Sequence, residues 1–127
     1  MNLEKTIFAF VIVLAMTVNF GFFFGDIDNP DHHNVYELYG ALVISLIATV
    51  MKLGERTQIG ALLLATSLVA DVQLIIAVLV WGTVAYVTET GLTPHTMAAI
   101  VSLSGGALLA NVVSVVLLVA ETIMGRR

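Results

Sequence analysis

The sequence predicts an all-α, polytopic membrane protein with four transmembrane helices in two hairpins and both termini in the cytoplasm. The first observation is composition: 59% of the 127 residues are hydrophobic, 11% are charged, and the mean hydropathy is +1.02. A soluble domain of this length is rarely so apolar. The second observation is that four windows are long enough to span a bilayer, at residues 6–25, 35–53, 57–87 and 96–123. Together they make residues 1–127 a single transmembrane domain.

The first two spans are the ones that need justification. The first could be a cleaved signal peptide, but its apolar run continues to Phe24 without a small-residue cleavage site, and Glu4 interrupts the basic segment before it. We therefore expect an uncleaved anchor helix. The second span is the weakest of the four, because its uncharged stretch covers only residues 38–51.

The positive charges predict the orientation. Neither the connection at residues 26–34 nor the connection at residues 88–94 contains a lysine or an arginine. Cytoplasmic segments are enriched in these residues, so both termini and the turn at residues 52–56 are expected in the cytoplasm. All the cations of the chain lie at those three places: Lys5, Lys52, Arg56, Arg126 and Arg127.

Capping residues mark the boundaries of the third and fourth spans and the start of the second. Asn29 before Pro30 offers an N-cap and a proline at the first helical position for the second span. Thr93 before Pro94 repeats this pattern for the fourth span. Gly54 suits a tight turn between the second and third spans.

Asp71 is the residue that most strongly indicates a function, because it is the only charged residue in the third span. It lies beside the midpoint of that span, near Val72. An ionisable group at this depth costs several kcal/mol unless it is paired or hydrated. As a structural element, a protonated Asp71 would hydrogen-bond to a neighbouring helix. As a functional element, the carboxylate would bind a proton or a small cation transiently on its way across the membrane.

Polar residues near the midpoints of the spans are the candidates to complete such a site. No cation lies at this depth, because Lys52 is at the end of the second span and Arg56 lies outside the third. The side chains that would support Asp71 with amide and hydroxyl oxygens are Asn111, Gln73 and Ser45.

Acidic residues and histidines crowd the first connection. Their carboxylate and imidazole groups suit a divalent ion, or the attraction of cations to the mouth of a pore. A calcium loop would need a ligand where Pro30 stands, so the spacing matches no established site. Helix capping within a solvated acidic turn is the favoured interpretation, and cation attraction is the alternative. The residues are Asp26, Asp28, Asp31, His32, His33 and Glu37.

Small and polar residues recur at intervals of four in two of the spans. Such stripes let helix backbones approach closely, which stabilises helix association in lipid. We expect helix packing, within the chain or with other membrane subunits. In the fourth span the stripe is Ser102, Gly106, Ala110 and Ser114, and in the second it is Glu37, Ala41, Ser45 and Thr49.

Several functional classes are disfavoured. The chain has no cysteine, which excludes disulfides and thiolate chemistry. It lacks a His-Glu zinc motif, a phosphate-binding glycine loop and a Ser-His-Asp arrangement, so we expect no enzyme and no cofactor. Its few cations are divided among three short segments, which is not a nucleic-acid-binding surface.

The sequence resembles two groups of small membrane proteins. In length and number of spans it is similar to the small multidrug resistance transporters, but that family has its essential glutamate in the first span, and here no acid lies between Glu4 and Asp26. The segments RTQIG at 56–60 and ATSLVADVQL at 65–74 resemble an uncharacterised family of small four-helix bacterial inner-membrane proteins. That resemblance implies a bacterial inner-membrane location and does not assign an activity.

Two functions are therefore expected from different classes. The first is passage or exchange of a small cation or proton through a site centred on Asp71, with a pathway between subunits of a homo-oligomer because the chain is short. The second is a non-transporting membrane subunit that binds partner helices through the two small-residue stripes. In both cases the bilayer is the main partner.

Overall fold

Four long helices account for most of the computed structural model, which describes residues 3–125. All four are long and apolar enough to cross a membrane, so the chain is a multi-pass membrane protein and the predicted all-α fold is confirmed. Their bounds lie within three residues of the predicted spans. The helices are α1 (Leu3–Phe23), α2 (Val35–Lys52), α3 (Gln58–Tyr86) and α4 (Pro94–Gly125), with a short 3-10 helix at Pro30–His32.

Side-chain caps explain where α3 and α4 begin. The Thr57 hydroxyl accepts a hydrogen bond from the Gly60 amide at 2.9 Å. Thr93 and Thr96 cap each other reciprocally, because each hydroxyl lies within 3.2 Å of the other residue's amide. Both arrangements use amides that have no partner inside the helix. The predicted Thr93-Pro94 start of the fourth span is therefore confirmed.

The first residue of α2 agrees with the predicted span, but its N-cap differs from the prediction. Asn29 does cap a helix, by accepting a hydrogen bond from the Asp31 amide at 3.0 Å, but that helix is the 3-10 turn. The turn ends because His33 adopts an extended conformation. Asn34 then caps α2 by accepting a hydrogen bond from the Tyr36 amide at 2.8 Å. The second span thus begins one turn later than its proline suggested.

The helices pack mainly as a ring, in which α1 contacts α2, α2 contacts α3, α3 contacts α4, and α4 contacts α1. Successive helices are antiparallel, so the ring has two chemically different ends. The acidic end contains the connections at residues 24–34 and 87–93. The basic end contains the start of α1, the turn at residues 53–57 and the end of α4. Gly54 has a φ of +83° in this turn, a conformation that favours glycine.

Ion pairs are concentrated at the basic end. Lys52 Nζ lies 3.0 Å from Glu55 Oε2 and 4.2 Å from the centre of the Phe8 ring. Lys5 Nζ lies 3.6 Å from Glu121 Oε1. These contacts connect α1, α2 and α4 where the helices end. Arg126 and Arg127, the remaining cations of the C-terminus, lie outside the described residues.

The apolar core is divided into two parts. In the acidic-end half, the largest buried side chains include Phe22, Leu38, Leu74, Met97 and Ile100. In the basic-end half, the buried cluster is Phe8, Ile12, Ala48 and Leu63. Buried polar residues of α2, α3 and α4 lie where the two clusters meet. We call this the polar layer: Ser45, Thr49, Ser67, Asp71 and Asn111.

Candidate functional site

Asp71 lies at the middle of α3 with only 4% of its surface exposed. Ser45 Oγ donates a hydrogen bond to Asp71 Oδ1 at 2.6 Å, and the Thr49 hydroxyl contacts Asp71 Oδ2. Both hydroxyls come from α2, one helical turn apart, so they project from the same face. The carboxyl group is therefore held across the interface between α2 and α3.

The face of α2 that meets Asp71 is built from small residues. Ala41, Ser45 and Ala48 are fully buried, and Thr49 is 8% exposed. Small side chains let the backbones of α2 and α3 approach closely enough for hydroxyl groups to reach a short Asp side chain. A larger residue at either hydroxyl position would separate the helices.

Asn111 of α4 lies at nearly the same depth as Asp71. Thr66 Oγ1 and Ser114 Oγ are 2.6 Å apart, which fixes the antiparallel register of α3 and α4. Asp71 is five residues from Thr66 and Asn111 is three residues from Ser114, in the same direction, so their depths differ by about 3 Å at 1.5 Å per residue. Asn111 is 1% exposed, and neither of its amide atoms has a hydrogen-bond partner among residues 3–125.

Two more buried polar groups, Ser67 in the polar layer and Gln73 beside it, lack partners in the described part of the chain. Ser67 is one turn from Asp71 on the same helix, and its hydroxyl has no partner. Gln73 projects towards α4, where a Cβ on Gly106 would lie 2.2 Å from Gln73 Oε1. That oxygen is also buried without a partner. Gln73 thus lies against α4 and makes no hydrogen bond to Asp71.

Within residues 3–125, no charged residue is positioned to neutralise Asp71. Between Arg56 and Glu89 it is the only ionisable residue apart from Tyr86, and α4 has no charged residue between His95 and Glu121. Lys52, the nearest cation along α2, is engaged by Glu55 at the basic end. Among the described residues, the side-chain partners of the carboxyl group are the two hydroxyl groups of α2.

A second polar contact joins α1 to α4 nearer the acidic end. Asn19 Nδ2 donates to the Ser104 carbonyl at 3.0 Å, and the Ser104 hydroxyl donates to Asn19 Oδ1. Ser104 is seven residues from Asn111, or about 10 Å along the helix. Apolar residues of the larger core cluster, including Leu74 and Ile100, occupy this half of the bundle.

The model of the family described as "Family of unknown function (DUF6394)" matches residues 32–122. The chain belongs to this family. No curated protein and no solved structure matches the chain. The match confirms the predicted membership of an uncharacterised family and covers α2, α3 and most of α4, hence every residue of the polar layer of this DUF6394 protein.

The structure brings together part of the predicted site and adds one residue to it. Ser45 contacts Asp71, Asn111 shares its layer, and Gln73 packs against α4. Thr49 is the residue that the prediction of the site omitted. Its position four residues after Ser45, within a stripe already identified as a helix face, was the available signal.

The two small-residue stripes of this DUF6394 protein are used largely within the chain. Ala41, Ser45 and Thr49 are buried against neighbouring helices, and the Glu37 carboxylate lies against Gly21 of α1. On α4, Ala110 and Ser114 are buried, Gly106 is half-buried and Ser102 is exposed. The buried face of α4 is offset from the predicted stripe and also contains Ser104, Ala107 and Asn111.

The histidines of the first connection bind the backbone. His33 is 4% exposed; its Nδ1 lies 2.6 Å from the Phe22 carbonyl oxygen and its Nε2 lies 2.7 Å from the Asp26 carbonyl oxygen. His32 Nδ1 accepts a hydrogen bond from the Asp26 amide at 2.9 Å. Asp28 and Asp31 are exposed. Within residues 3–125, no group of three or more His, Cys, Asp or Glu side chains is arranged to hold a metal ion.

Proposed function

We propose that this protein passes or exchanges a proton or small cation across the membrane, with Asp71 as the transient binding site. The observation that carries the proposal is a carboxyl group buried at mid-membrane depth with hydroxyl partners and no counter-charge. Burying such a group costs stability, so its presence calls for a function. Ionisable residues at this depth commonly mark ion and proton pathways.

The polar layer also supports the proposal because it is incompletely satisfied. In the described part of the chain, both amide atoms of Asn111 and the hydroxyl of Ser67 have no hydrogen-bond partner. Buried polar groups are normally hydrogen-bonded, and unpartnered ones cost about 1–3 kcal/mol each. In an ion or proton pathway, these groups would contact the transported species or its water as it passes.

We place the pathway inside one protomer, whereas the sequence alone favoured a route between subunits. Towards the basic end, Ser67 lies one turn from Asp71, the part-buried Thr66–Ser114 pair lies next to Ser67, and Lys52 is buried at the end of α2. Towards the acidic end, about 10 Å of mainly apolar core separates Asn111 from the Asn19–Ser104 pair. The barrier to passage would therefore lie in the acidic-end half, and the helices must move there.

The proposal includes a location and an orientation. We propose that the protein lies in the bacterial inner membrane with the basic end in the cytoplasm. Because the chain has no cysteine, single cysteines can be introduced at Asp28 and at Met124, which are exposed at opposite ends. A membrane-impermeant thiol reagent added to intact cells should label Asp28→Cys alone. Labelling of Met124→Cys alone would reverse the orientation.

Ion flux into liposomes tests the function. Wild-type protein should acidify or load vesicles under an imposed gradient, and Asp71→Asn should reduce the rate to that of protein-free vesicles, because it removes the titratable group and keeps its shape. Glu89→Gln, which removes an exposed carboxylate at the acidic end, is the matched control and should retain the wild-type rate. Equal flux through Asp71→Asn would refute the role of Asp71. No flux through wild type would favour a non-transporting membrane subunit.

A further inference from the structure

The Thr49 hydroxyl lies between two hydrogen-bond acceptors. It is 3.0 Å from the backbone carbonyl oxygen of Ser45 and also contacts Asp71 Oδ2. A hydroxyl carries one proton and can donate to only one of them. If Asp71 is an ionised carboxylate, which has no proton to give, one of the two contacts has no hydrogen between its oxygens.

A proton on Asp71 Oδ2 completes every contact in the cluster. Oδ2–H then donates to Thr49 Oγ1, and the Thr49 hydroxyl donates to the Ser45 carbonyl. The Ser45 hydroxyl donates to Oδ1, as it does in either state. Three protons serve three oxygen–oxygen contacts, and the group is neutral. A neutral acid also avoids the cost of a charge at this depth.

The surrounding helices offer no charge that would keep Asp71 ionised. On α2 the closest charged group is Lys52, three residues after Thr49 and paired with Glu55. On α1 the described sequence has none between Lys5 and Asp26, and on α4 there is none between His95 and Glu121. All of these lie outside the polar layer.

A metal ion fits this geometry less well than a proton. Hard cations take several oxygen ligands at about 2.0–2.6 Å, which spaces those oxygens around the ion. Here Ser45 Oγ and Asp71 Oδ1 are 2.6 Å from each other, the separation of two oxygens that share a hydrogen. One carboxylate would also leave a divalent ion with an uncompensated positive charge.

We propose that the species held by this site is a proton, and that Asp71 rests as a neutral acid whose Oδ2–H donates to the Thr49 hydroxyl. The inference rests on the proposed function, since it names the species that Asp71 would carry. Release of the proton leaves a carboxylate, and the Thr49 hydroxyl can then turn from the Ser45 carbonyl to Oδ2. Thr49 is thus a positioning residue that contacts the acid in both states.

Infrared spectroscopy of the purified protein tests this inference without requiring transport. A protonated carboxylic acid has a carbonyl stretch that a carboxylate lacks and that shifts in D2O. At neutral pH, wild type labelled with 13C-aspartate should show one such band from aspartate, because Asp26, Asp28 and Asp31 are exposed. Asp71→Asn should lose it. A spectrum of wild type with no aspartic-acid band at neutral pH would overturn the proposal.

Variants at Thr49 test the hydrogen bond itself and cover the case in which Asp71→Asn does not fold. Thr49→Val keeps the side-chain shape but removes the acceptor, so the acid band should move to higher frequency. Thr49→Ser keeps the hydroxyl and should leave the band near its wild-type position. A band unmoved in Thr49→Val would mean that Oδ2–H has another partner.

The infrared and flux measurements can contradict the two proposals separately. An acid band without flux leaves Asp71 a protonated residue and removes the transport function. Asp71-dependent sodium flux without an acid band supports transport and contradicts a proton as the bound species. Only the acid band together with Asp71-dependent proton flux supports both proposals.

Discussion

Asp71 and His33 are equally buried, at 4% exposure each, but their surroundings are opposite. Asp71 is met by two hydroxyl side chains from a neighbouring helix, and hydroxyls can donate or accept. His33 is met by two backbone carbonyl oxygens, which can only accept. Asp71 lies in the middle of the bundle, and His33 lies at its acidic end.

These different partners determine which of the two side chains can change its hydrogen bonding during function. Hydroxyls reorient, so the partners of Asp71 can accommodate both its neutral and its ionised form. The carbonyl oxygens around His33 can only accept, so the contacts of its ring have no such alternative arrangement. His33 therefore fits a structural role, in which it ties the end of α1 to the 3-10 turn, whereas Asp71 fits a reversible one.

Replacing His33 should have the largest effect on stability. His33→Leu keeps the apolar contact with Phe22, whose ring centre is 5.5 Å away, but removes both ring nitrogens. The Phe22 carbonyl then loses its side-chain partner and the Asp26 carbonyl keeps only the Asn29 amide, so we expect a loss of about 2–4 kcal/mol in the free energy of unfolding in detergent. Faster amide exchange should be confined to residues 24–34.

The adjacent histidine provides the control for this prediction. His32→Leu removes a ring that is 41% exposed, accepts from the Asp26 amide and contacts the Asn29 side chain. Its cost should stay below about 1 kcal/mol, because water can replace the lost partner. If the two variants lower the free energy of unfolding equally, the buried contacts of His33 stabilise the protein no more than the exposed contacts of His32.

Asn111, in the polar layer, should respond in the opposite direction when it is replaced. Within residues 3–125 both of its amide atoms lack partners, so Asn111→Leu, which has a similar branched shape, removes a desolvation cost. We expect unfolding in detergent to become harder by about 1–2 kcal/mol. In liposomes the same variant should slow the flux, as expected for a site that sacrifices stability for function.

Asn19 is the matched control, since it is equally buried but fully engaged with Ser104. Asn19→Leu should destabilise the protein by about 1–2 kcal/mol through the loss of two interhelical hydrogen bonds. If both asparagine variants change stability in the same direction, Asn111 has a partner in the folded protein that the described structure lacks.

Apolar length and charge position were enough to predict the fold. The four spans, the caps at Thr93 and Gly54, and the central position of Asp71 follow from local sequence, because each depends on residues within one helix or turn. The N-cap of α2 did not follow, since Asn29 and Asn34 both suit an N-cap and the choice between them depends on His33 being extended.

The candidate site was harder to predict because it depends on how the helices rotate about their axes. Thr49 is a routine helical threonine in sequence, and only the packing of α2 on α3 directs its hydroxyl to Asp71. His33 belonged to an acidic cluster in sequence, and only the path of the connection brings it to the Phe22 carbonyl. Such contacts join residues from different elements, and no local pattern encodes them.

The smallest effect is expected at Ser45, and it tests whether the polar layer holds the helices together. Ser45→Ala removes the donor to Asp71 Oδ1 but leaves the contact with Thr49. Interhelical hydrogen bonds in membrane proteins contribute about 0.6 kcal/mol on average, so unfolding in detergent should change by about that amount. A loss of several kcal/mol would instead mean that Asp71 is ionised and depends on both donors, because a buried charge stripped of a donor is far more costly than a neutral acid. The size of this change therefore reports on the same protonation state that distinguishes Asp71 from His33.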